Sequence, residues 1–410
     1  MKITTYHSAS EIPEEKWNQA LGKGSITCSK SYGEIIEASG MKDFATYRYL
    51  LLEEDDGTPA AVSAYYTVTT DIAIFAPGWL RGALARIRKI FPGFLKLRMI
   101  ECGTAVNINE PVIIREGVYQ DAVVRLLSEE LFKAARREKA LLLVTRDFHP
   151  TETPLQRAFI DNGWTMVPSL PNCWLDTPWN TPDEYLGAMK SYFRSKLKKH
   201  LKRNEHAGIE AVLVDDFDDI AEPLSRQWLV VHEQADEYQR EVLTPDFYRA
   251  FSTRFGDASK VLLFYREGEL IGHALLLMDR DVLRWMYFGR KSAVNDSLYI
   301  LVGYKVVETA ILLGARTIEQ GVTTYSVKRD LGGQMIPVDL GLSSRWKLFN
   351  PLIKWGYGLL NSTPEIDNKN IFKEPDSGKK KKTTKKNPQK SRKKHAPGDQ
   401  ARTNKPQNQK

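Results

Sequence analysis

Apolar residues recur along this chain at two alternating spacings, one typical of strands and the other of helices. Residues 46–55 and 60–70 are rich in β-branched and aromatic residues and flank the turn Gly57-Thr58-Pro59, which predicts a hairpin. Residues 119–139 have apolar positions at helical spacing and end in basic residues, as a helix C-terminus favours. The apolar run 140–148 then predicts a buried strand, and this order of elements is typical of an α/β domain.

The rest of the chain repeats this alternation. Residues 153–162 predict a short helix that ends at Gly163, and residues 164–177 predict one strand with prolines at its irregular points. Further along, the predicted elements are one long helix over 182–204, a strand over 208–216, helices over 219–235 and 244–255, three strands within 260–290, a helix over 297–313 and a strand over 315–321. The similar order in the two halves suggests a tandem duplication, with an N-terminal domain over residues 1–175 and a C-terminal domain over 176–362.

The net charge of +8 is distributed unevenly. Residues 369–410 carry 15 Lys and Arg against 3 Asp and Glu, a net charge of +12, so the rest of the chain carries −4. We therefore expect residues 363–410 to form a disordered Lys-rich tail, because so polar a segment cannot bury enough surface to offset its ordering entropy. The tail either contacts RNA or anionic lipid or is a solvated extension, and the acidic remainder disfavours nucleic-acid recognition by the folded part.

Several protein classes are excluded by what the sequence lacks. No run approaches 18 uninterrupted apolar residues, so a membrane-spanning helix is not predicted. The N-terminus has no apolar core and does not resemble a secretory signal peptide. Cys28, Cys102 and Cys173 lie far apart and form no CxxC pair, which predicts neither a zinc site nor a disulfide framework. We expect a cytoplasmic protein, peripheral on the inner face of the membrane if it binds lipid.

Four segments of the second half carry a resemblance to a known superfamily. They are the basic helix SYFRSKLKKHLKRN before the strand GIEAVLV, the run GELIGHALLLMDRDVLRWMYFGR, the helix-to-strand run LVGYKVVETAILLGARTIEQG, and VTTYSVKRDLGG with its Tyr-Lys element. Together they resemble the GNAT-like acyltransferase superfamily, in the branch of FemAB-like transferases and the BioF2-like acetyltransferase domain. The resemblance implies an α/β (α+β) fold of tandem GNAT-like domains, with mixed, mostly antiparallel central sheets flanked by helices. It also implies acyl-CoA or an acyl-carrier protein as co-substrate and no permanently bound cofactor.

Two departures from the family pattern concern the acyl donor. Ordinary acetyltransferases of the superfamily hold the CoA pyrophosphate on a Gly-rich turn at a helix N-terminus, and residues 289–300 contain no such turn. FemAB-like members also lack it. The aminoacyl-tRNA-dependent members usually insert a long helical arm, for which there is no room between Asn204 and Gly208. This argues against tRNA as the donor.

Acyl transfer to an amine needs a base for the ammonium proton and donors for the developing oxyanion. Glu319, at the end of the strand ARTIEQG, can bind or deprotonate the amine, or be an exposed strand-end charge. The resemblance implies that Lys328 binds a phosphate or an acyl carbonyl and that Tyr325 donates to the oxyanion or the leaving thiolate. His273, in an apolar strand, and His232, at a helix end, are candidate bases with structural roles as the alternative.

Four further residues are predicted to bind substrate. Arg284 and Tyr287, on the strand WMYFGR, are expected to line the acceptor groove. Arg194 and Lys198 belong to the basic face of a predicted helix and can guide a phosphate of CoA, a carrier protein or a lipid, or form an ordinary solvated face. No metal site is predicted, because the sequence has no HExxH motif and no second ligand cluster.

Two segments have the composition of helices that lie in a membrane interface. Residues 76–100 and 345–360 both mix Trp, Phe, Leu and Ile with Arg and Lys. The alternative is that each segment packs on its own domain, because amphipathic helices usually face a core. With the basic tail, these segments predict contact with a membrane surface.

The sequence therefore favours an N-acyltransferase that uses a thioester donor and the amine of a lipid or membrane-linked acceptor. The bacterial ceramide synthases of the GNAT-like superfamily resemble this arrangement and are one concrete candidate. One alternative is a FemAB-type, aminoacyl-tRNA-dependent peptide transferase of cell-wall or polysaccharide biosynthesis. The other is a non-catalytic membrane- or RNA-binding protein that acts through its tail.

Overall fold

The computed structural model describes residues 1–76, 78–148, 153–234, 241–292, 297–360 and 363–374. Met1–Lys373 form one compact unit. Its strands are β1 (Lys2–Tyr6), β2 (Phe44–Glu53), β3 (Pro59–Asp71), β4 (Lys96–Cys102), β5 (Val112–Ile114), β6 (Leu142–Phe148), β7 (Thr165–Pro168), β8 (Asn172–Asp176), β9 (Ile209–Val214), β10 (Ser259–Arg266), β11 (Glu269–Asp279), β12 (Val282–Arg290), β13 (Thr317–Gly321), β14 (Gln334–Ile336) and β15 (Asp339–Ser344). Its helices are α1 (Glu14–Leu21), α2 (Lys30–Ala38), α3 (Gly78–Ile90), α4 (Gln120–Arg137), α5 (Thr153–Asp161), α6 (Pro182–Ala188), α7 (Ser191–His206), α8 (Ala221–Glu233), α9 (Pro245–Phe255), α10 (Leu298–Leu312), α11 (Tyr325–Asp330) and α12 (Asn350–Leu360).

Within the described residues, the strands form two mixed sheets flanked by helices. The first sheet has the order β1-β2-β3-β4-β6-β15-β7, with β5 beside β3, and the second has the order β14-β8-β13-β12-β11-β10-β9. In each sheet an antiparallel meander leads to one parallel pair, β4 with β6 and β12 with β13. The two halves therefore share one topology, and the predicted mixed, mostly antiparallel sheets are confirmed.

In the second sheet, the turns between the antiparallel strands lie at the turn residues that the sequence indicates. Glu267 and Gly268 both have positive φ, 51° and 76°, which is the backbone of the two-residue hairpin turn that matches strand twist. Arg280, with φ 61°, lies in the next turn. The prediction of three strands within residues 260–290 is confirmed.

The two sheets exchange a strand. The stretch 164–177, predicted as one strand, is two: β7 is an edge strand of the first sheet, whereas β8 lies in the second sheet between β13 and β14. The break falls at Ser169–Leu170–Pro171, and proline donates no hydrogen bond to a sheet. In return, β15 from the C-terminal half lies between β6 and β7 in the first sheet.

The long helix predicted over residues 182–204 is also wrong, because α6 and α7 are separate. The backbone is extended at Met189, with φ −65° and ψ 143°. The broken ends hydrogen-bond to a distant segment, as Lys190 N donates to Ile371 O (2.8 Å) and Lys373 N donates to Ala188 O (2.9 Å). Gly187, two residues before Met189, is a local sign of the break that the helical pattern concealed.

A continuous core joins the two halves. One cluster includes Phe44 and Val144 from the first half together with Trp228 and Leu275 from the second. Near the C-terminus, Ile371 is fully buried, and Phe372 packs against aromatic rings of the second half, so these residues belong to the folded unit. Residues 375–410, most of the predicted tail, lie outside the described residues.

Candidate active site between the two halves

A cavity of about 1790 Å³ opens between the two sheets. It is lined by β4, β6 and β15 on one side, by β12 and β13 on the other, and by residues of α8, α11 and α12. Sites for small molecules usually have volumes of about 300–1,000 Å³, so this one has room for a ligand with a long chain. Six of the predicted site residues line it: His232, Arg284, Tyr287, Glu319, Tyr325 and Lys328.

A buried ion-pair cluster lies where β12 and β13 run parallel. Arg284 and Glu319 are register partners on these strands, and their side chains form a salt bridge. Arg284 also donates through Nε to Asp279 Oδ2 (2.9 Å) and through Nη2 to Ser25 Oγ (3.1 Å). Asn172 Nδ2 donates to Glu319 Oε1 (2.7 Å). The cluster holds two carboxylates and one guanidinium, an excess of negative charge that suits a cationic ligand.

Burial shifts the proton affinity of this cluster. Glu319 is 5% exposed, and its burial raises the pKa of the carboxyl group above the ordinary value, although Arg284 and Asn172 both lower it. A buried carboxylate destabilises the folded state unless the groups that pair with it remain in place. Glu319 therefore depends on Arg284 and Asn172 for its ionised form.

Lys328 lies at the end of the same strand pair. Thr323 and Thr324 have positive φ, 71° and 49°, and turn the chain back from β13 into α11. As a result Lys328 is 3% exposed, and its Nζ donates to Gly321 O (3.2 Å) and Val322 O (3.0 Å). Burial lowers the pKa of Lys328 to about 8. A lysine with such a pKa can give and take a proton near neutral pH.

The other three predicted residues at the cavity have defined contacts. Tyr325 Oη donates to Pro171 O (2.8 Å), in the segment between β7 and β8. Tyr287 Oη lies 2.9 Å from Glu241 Oε1 and 3.2 Å from Val106 O, and burial raises the pKa of this phenol well above its usual value. The ring of His232 stacks on Trp228 at 4.6 Å between centroids. Tyr325 and Tyr287 are thus positioned by contacts between different elements, whereas His232 stacks on a residue of its own helix, α8.

His273 does not reach the cavity. It is fully buried on β11, with Nδ1 2.9 Å from Gln227 Oε1 and Nε2 3.1 Å from Tyr248 Oη. Burial lowers the pKa of its imidazole to about 3, so the ring is neutral at physiological pH. Both ring nitrogens have protein partners, and the geometry gives a base role no support.

Arg194 and Lys198 also lie away from the cavity lining. Both are on α7, whose buried Leu197 faces the core while Lys198 is exposed. The helix packs beside α10, and His200 Nδ1 lies 3.0 Å from Ser297 Oγ, just before α10 begins. Ser297 itself lines the cavity. The basic face is therefore close to one border of the cavity without being part of it.

Comparison with known proteins assigns the chain to a family. Residues 8–329 match the FemAB-like family, whose description is peptidoglycan biosynthesis and recognition. The chain belongs to the FemAB-like family. The predicted family is thus confirmed.

Among curated proteins, the FemAB-like chain is similar to one from Mycobacterium tuberculosis (strain CDC 1551 / Oshkosh) that is provisionally named 8-amino-7-oxononanoate synthase 2. The identity is 29% over 318 residues, which cover 74% of this chain and 40% of the relative. The chain therefore spans well under half of the length of that relative.

Three solved structures share the fold at 12% sequence identity. FemX matches with a TM-score of 0.53, over 83% of this chain and 97% of that one. A tandem GNAT protein from the clavulanic acid biosynthesis pathway matches with 0.51, over 84% and 99%. The C-terminal domain of a provisionally named lysylphosphatidylglycerol synthetase from Agrobacterium fabrum matches with 0.52, over 86% and 98%. The fold of this FemAB-like chain is a tandem GNAT fold, as predicted.

Sequence reasoning missed several polar residues at the candidate site. Asn172, Asp279 and Ser25 hold the ion pair of Arg284 and Glu319, but they come from three distant segments. A second polar group, on β4, β6 and the segment after β4, also lines the cavity: Glu101, Asn107, Arg146 and Asp147. For β4 and β6, the only sequence signal of a site was a charged residue among apolar neighbours. Among the described residues, no group of three His, Cys, Asp or Glu side chains is arranged to hold a metal ion.

Proposed function

We propose that this chain is an N-acyltransferase that moves an acyl group from a thioester to the amine of a lipid. The observation that carries the proposal is a buried lysine, Lys328, whose pKa burial lowers to about 8, beside the buried cluster of Arg284 with Asp279 and Glu319. Lys328, Arg284 and Glu319 line the cavity, most of whose lining is apolar. Such a site suits an ammonium group at the head of a long chain.

In the proposed reaction, Glu319 and Asp279 attract the ammonium and Lys328 removes its proton. The free amine attacks the thioester carbonyl carbon, a C–N bond forms, and the C–S bond breaks. Lys328 then returns this first proton to the leaving thiolate, takes the surplus proton from the new amide nitrogen and releases it to the solvent, with Tyr325 as a second hydrogen-bond donor at this end of the site. No covalent enzyme intermediate is required.

The contacts of Lys328 support this role. A neutral amine has two N–H donors and an ammonium has three. The two bonds to Gly321 O and Val322 O can therefore persist in both protonation states. The remaining position on Nζ carries the exchanged proton, so the side chain need not move during the reaction.

The outer surface supports a lipid acceptor. Six large apolar side chains, which we call the outer apolar surface, are between 60% and 87% exposed: Trp79, Ile90, Phe91, Leu348, Leu352 and Trp355. They belong to the two segments with interfacial composition. In the second of these, Leu352 and Trp355 also line the cavity, and α12 contacts the turn Ile72–Phe75 that leads into α3. A chain can thus pass from a bilayer surface into the cavity. In the described part of the chain, no helix has the length and apolar character needed to span a bilayer.

The basic face of α7 supports a donor that carries phosphate. Arg194 and Lys198 belong to this face, which lies beside Ser297 at the start of α10. A cationic face and a helix N-terminus both favour anions, so the phosphates of acyl-CoA or of a carrier-protein arm can bind here. Only two residues separate α7 from β9, which leaves no insertion for a tRNA-binding helical arm.

The test is acylation by the purified full chain, with acyl-CoA as donor and long-chain primary amines in mixed vesicles as acceptors. Release of free thiol and formation of the amide, measured by mass spectrometry, are the expected results. A parallel reaction with aminoacyl-tRNA tests the alternative donor. Lys328→Arg, which keeps the charge but cannot lose it near neutral pH, is the inactive control. Absence of amide with every thioester and every amine would reject the proposal.

A further inference from the structure

A second buried polar cluster faces the cavity from the first half, and the proposed reaction does not use it. It spans the parallel pair of β4 and β6, which is the counterpart of the pair that carries Arg284 and Glu319. Tyr66 Oη donates to Glu101 Oε2 (2.7 Å), and Arg146 Nη1 donates to Tyr66 Oη (2.9 Å). The cluster therefore fixes the guanidinium of Arg146 in one place.

The guanidinium of Arg146 holds one residue of an unusual segment, Val106–Asn107–Ile108. Three consecutive carbonyl groups of this segment accept hydrogen bonds from side chains of two strands, β6 and β12. Tyr287 Oη lies 3.2 Å from Val106 O, Arg146 Nη2 lies 3.2 Å from Asn107 O, and Arg284 Nη1 lies 3.5 Å from Ile108 O. Val106 has a φ of 67°, which is unfavourable for a β-branched residue. Contacts from both halves thus maintain a strained backbone at the cavity.

The central residue of this segment carries an unused donor. Asn107 is 9% exposed and lines the cavity. Its Oδ1 accepts from Thr104 Oγ1 (2.6 Å) and from Asn109 Nδ2 (3.2 Å), which fixes the orientation of the amide. Nδ2 is buried and has no hydrogen-bond partner among the described residues. A buried donor without a partner is unfavourable, and a ligand oxygen would satisfy it.

The position of Asn107 indicates which ligand it meets. Part of the apolar lining of the cavity comes from the first sheet: Leu97, Met99, Val144, Leu340 and Leu342. The chain of a lipid acceptor would lie along this lining, with its polar end at Asn107. The same segment touches Arg284, the partner of Glu319, so the amine at Glu319 would be a short distance from the Asn107 amide.

We propose that Asn107 is a specificity residue whose Nδ2 donates a hydrogen bond to an oxygen next to the acceptor amine. The acceptor class is a long-chain amine that carries a hydroxyl or carbonyl group on a neighbouring carbon. Arg146 is a positioning residue, because it acts through the backbone of Asn107. This inference rests on the proposed N-acyltransferase function and names the substrate class of the same site.

The test compares two acceptors of equal chain length, a 2-amino-1,3-diol and a plain primary amine, in the wild type and in Asn107→Leu. Leucine has a similar size and no donor. We expect kcat/KM for the amino diol to fall roughly 10- to 100-fold, with little change for the plain amine, because one specific hydrogen bond is lost. Asn18→Leu, an exposed change on α1, is the matched control.

The outcomes are separable. An equal fall with both acceptors, or no fall with either, overturns the assignment of Asn107 while the acyltransferase function stands. Acylation of neither acceptor by the wild type overturns the function itself. The urea midpoint of Asn107→Leu, compared with that of the wild type, is the separate folding control. Asn107→Asp, which adds charge at the same volume, should lose the amino diol preference as well.

Discussion

Replacing Lys328 with methionine should make the protein more stable and less active. Burial lowers the pKa of Lys328 from 10.5 to about 8. At about 1.4 kcal/mol per pH unit, the protonated side chain then costs the folded state about 3 kcal/mol below pH 8. The cost declines as the pH rises from about 8 to 10.5, and it is absent above that range because the lysine is then neutral in both states.

Methionine removes this cost but leaves two carbonyl groups, Gly321 O and Val322 O, without their donor. Each lost bond costs about 1 kcal/mol. The variant should therefore be about 1 kcal/mol more stable than the wild type at pH 7 and less stable near pH 10. Urea unfolding at the two pH values measures this difference directly.

Acylation should fall at least ~100-fold in Lys328→Met, which is the lower end of a typical general-base contribution. In the wild type, the rate should rise about tenfold from pH 7 to pH 9, because the neutral fraction of a lysine with a pKa of about 8 increases by that factor. An acceptor amine of low basicity is needed, so that its own ionisation does not shape the profile. Unchanged activity in the variant, with the same pH profile, would refute the role of Lys328.

Three further predictions concern the rest of the site. Glu319→Gln should lower kcat/KM at least ~10-fold and raise the KM for the amine, since the charge that attracts the ammonium is lost; an unchanged KM would contradict this. The double variant Leu352→Ser with Trp355→Ser should cosediment less with anionic vesicles but still acylate a short, water-soluble amine. Vesicle binding equal to that of the wild type would exclude the outer apolar surface as the membrane contact. Arg194→Glu with Lys198→Glu should raise the KM for acyl-CoA several-fold at low salt and less at high salt, and a salt-independent effect would indicate a structural cause.

The sequence predicted the fold best where local pattern and final environment agree. The strands of β10, β11 and β12 have turn residues with positive φ between them, so their bounds could be predicted closely. The exchange of β8 and β15 could not, because which sheet a short strand joins depends on contacts far along the chain. The break between α6 and α7 was missed for the same reason, since its hydrogen bonds go to Ile371 and Lys373.

At the site, residues near the ends of strands could be predicted from the sequence more reliably than residues on the faces of strands. Glu319 lies near the end of β13 and Lys328 follows that strand, where a GNAT-like sheet is expected to open. His273 lies on β11, which is buried on both faces, so alternation could not indicate which face borders a cavity. Asn107 lies in an irregular segment with no periodicity, and its role depends on partners from both halves.

The strand exchange has a consequence for how the chain acquires its structure. Thr145 in β6 pairs with Gly341 in β15, so the first sheet cannot be completed until nearly the whole folded unit has been synthesised. Until then, β6 presents an unpaired edge, which is a template for association with other chains. Pairing over so long a separation also slows folding. We therefore expect that neither half folds alone, and that separately expressed halves aggregate and recover the fold only when they are refolded together.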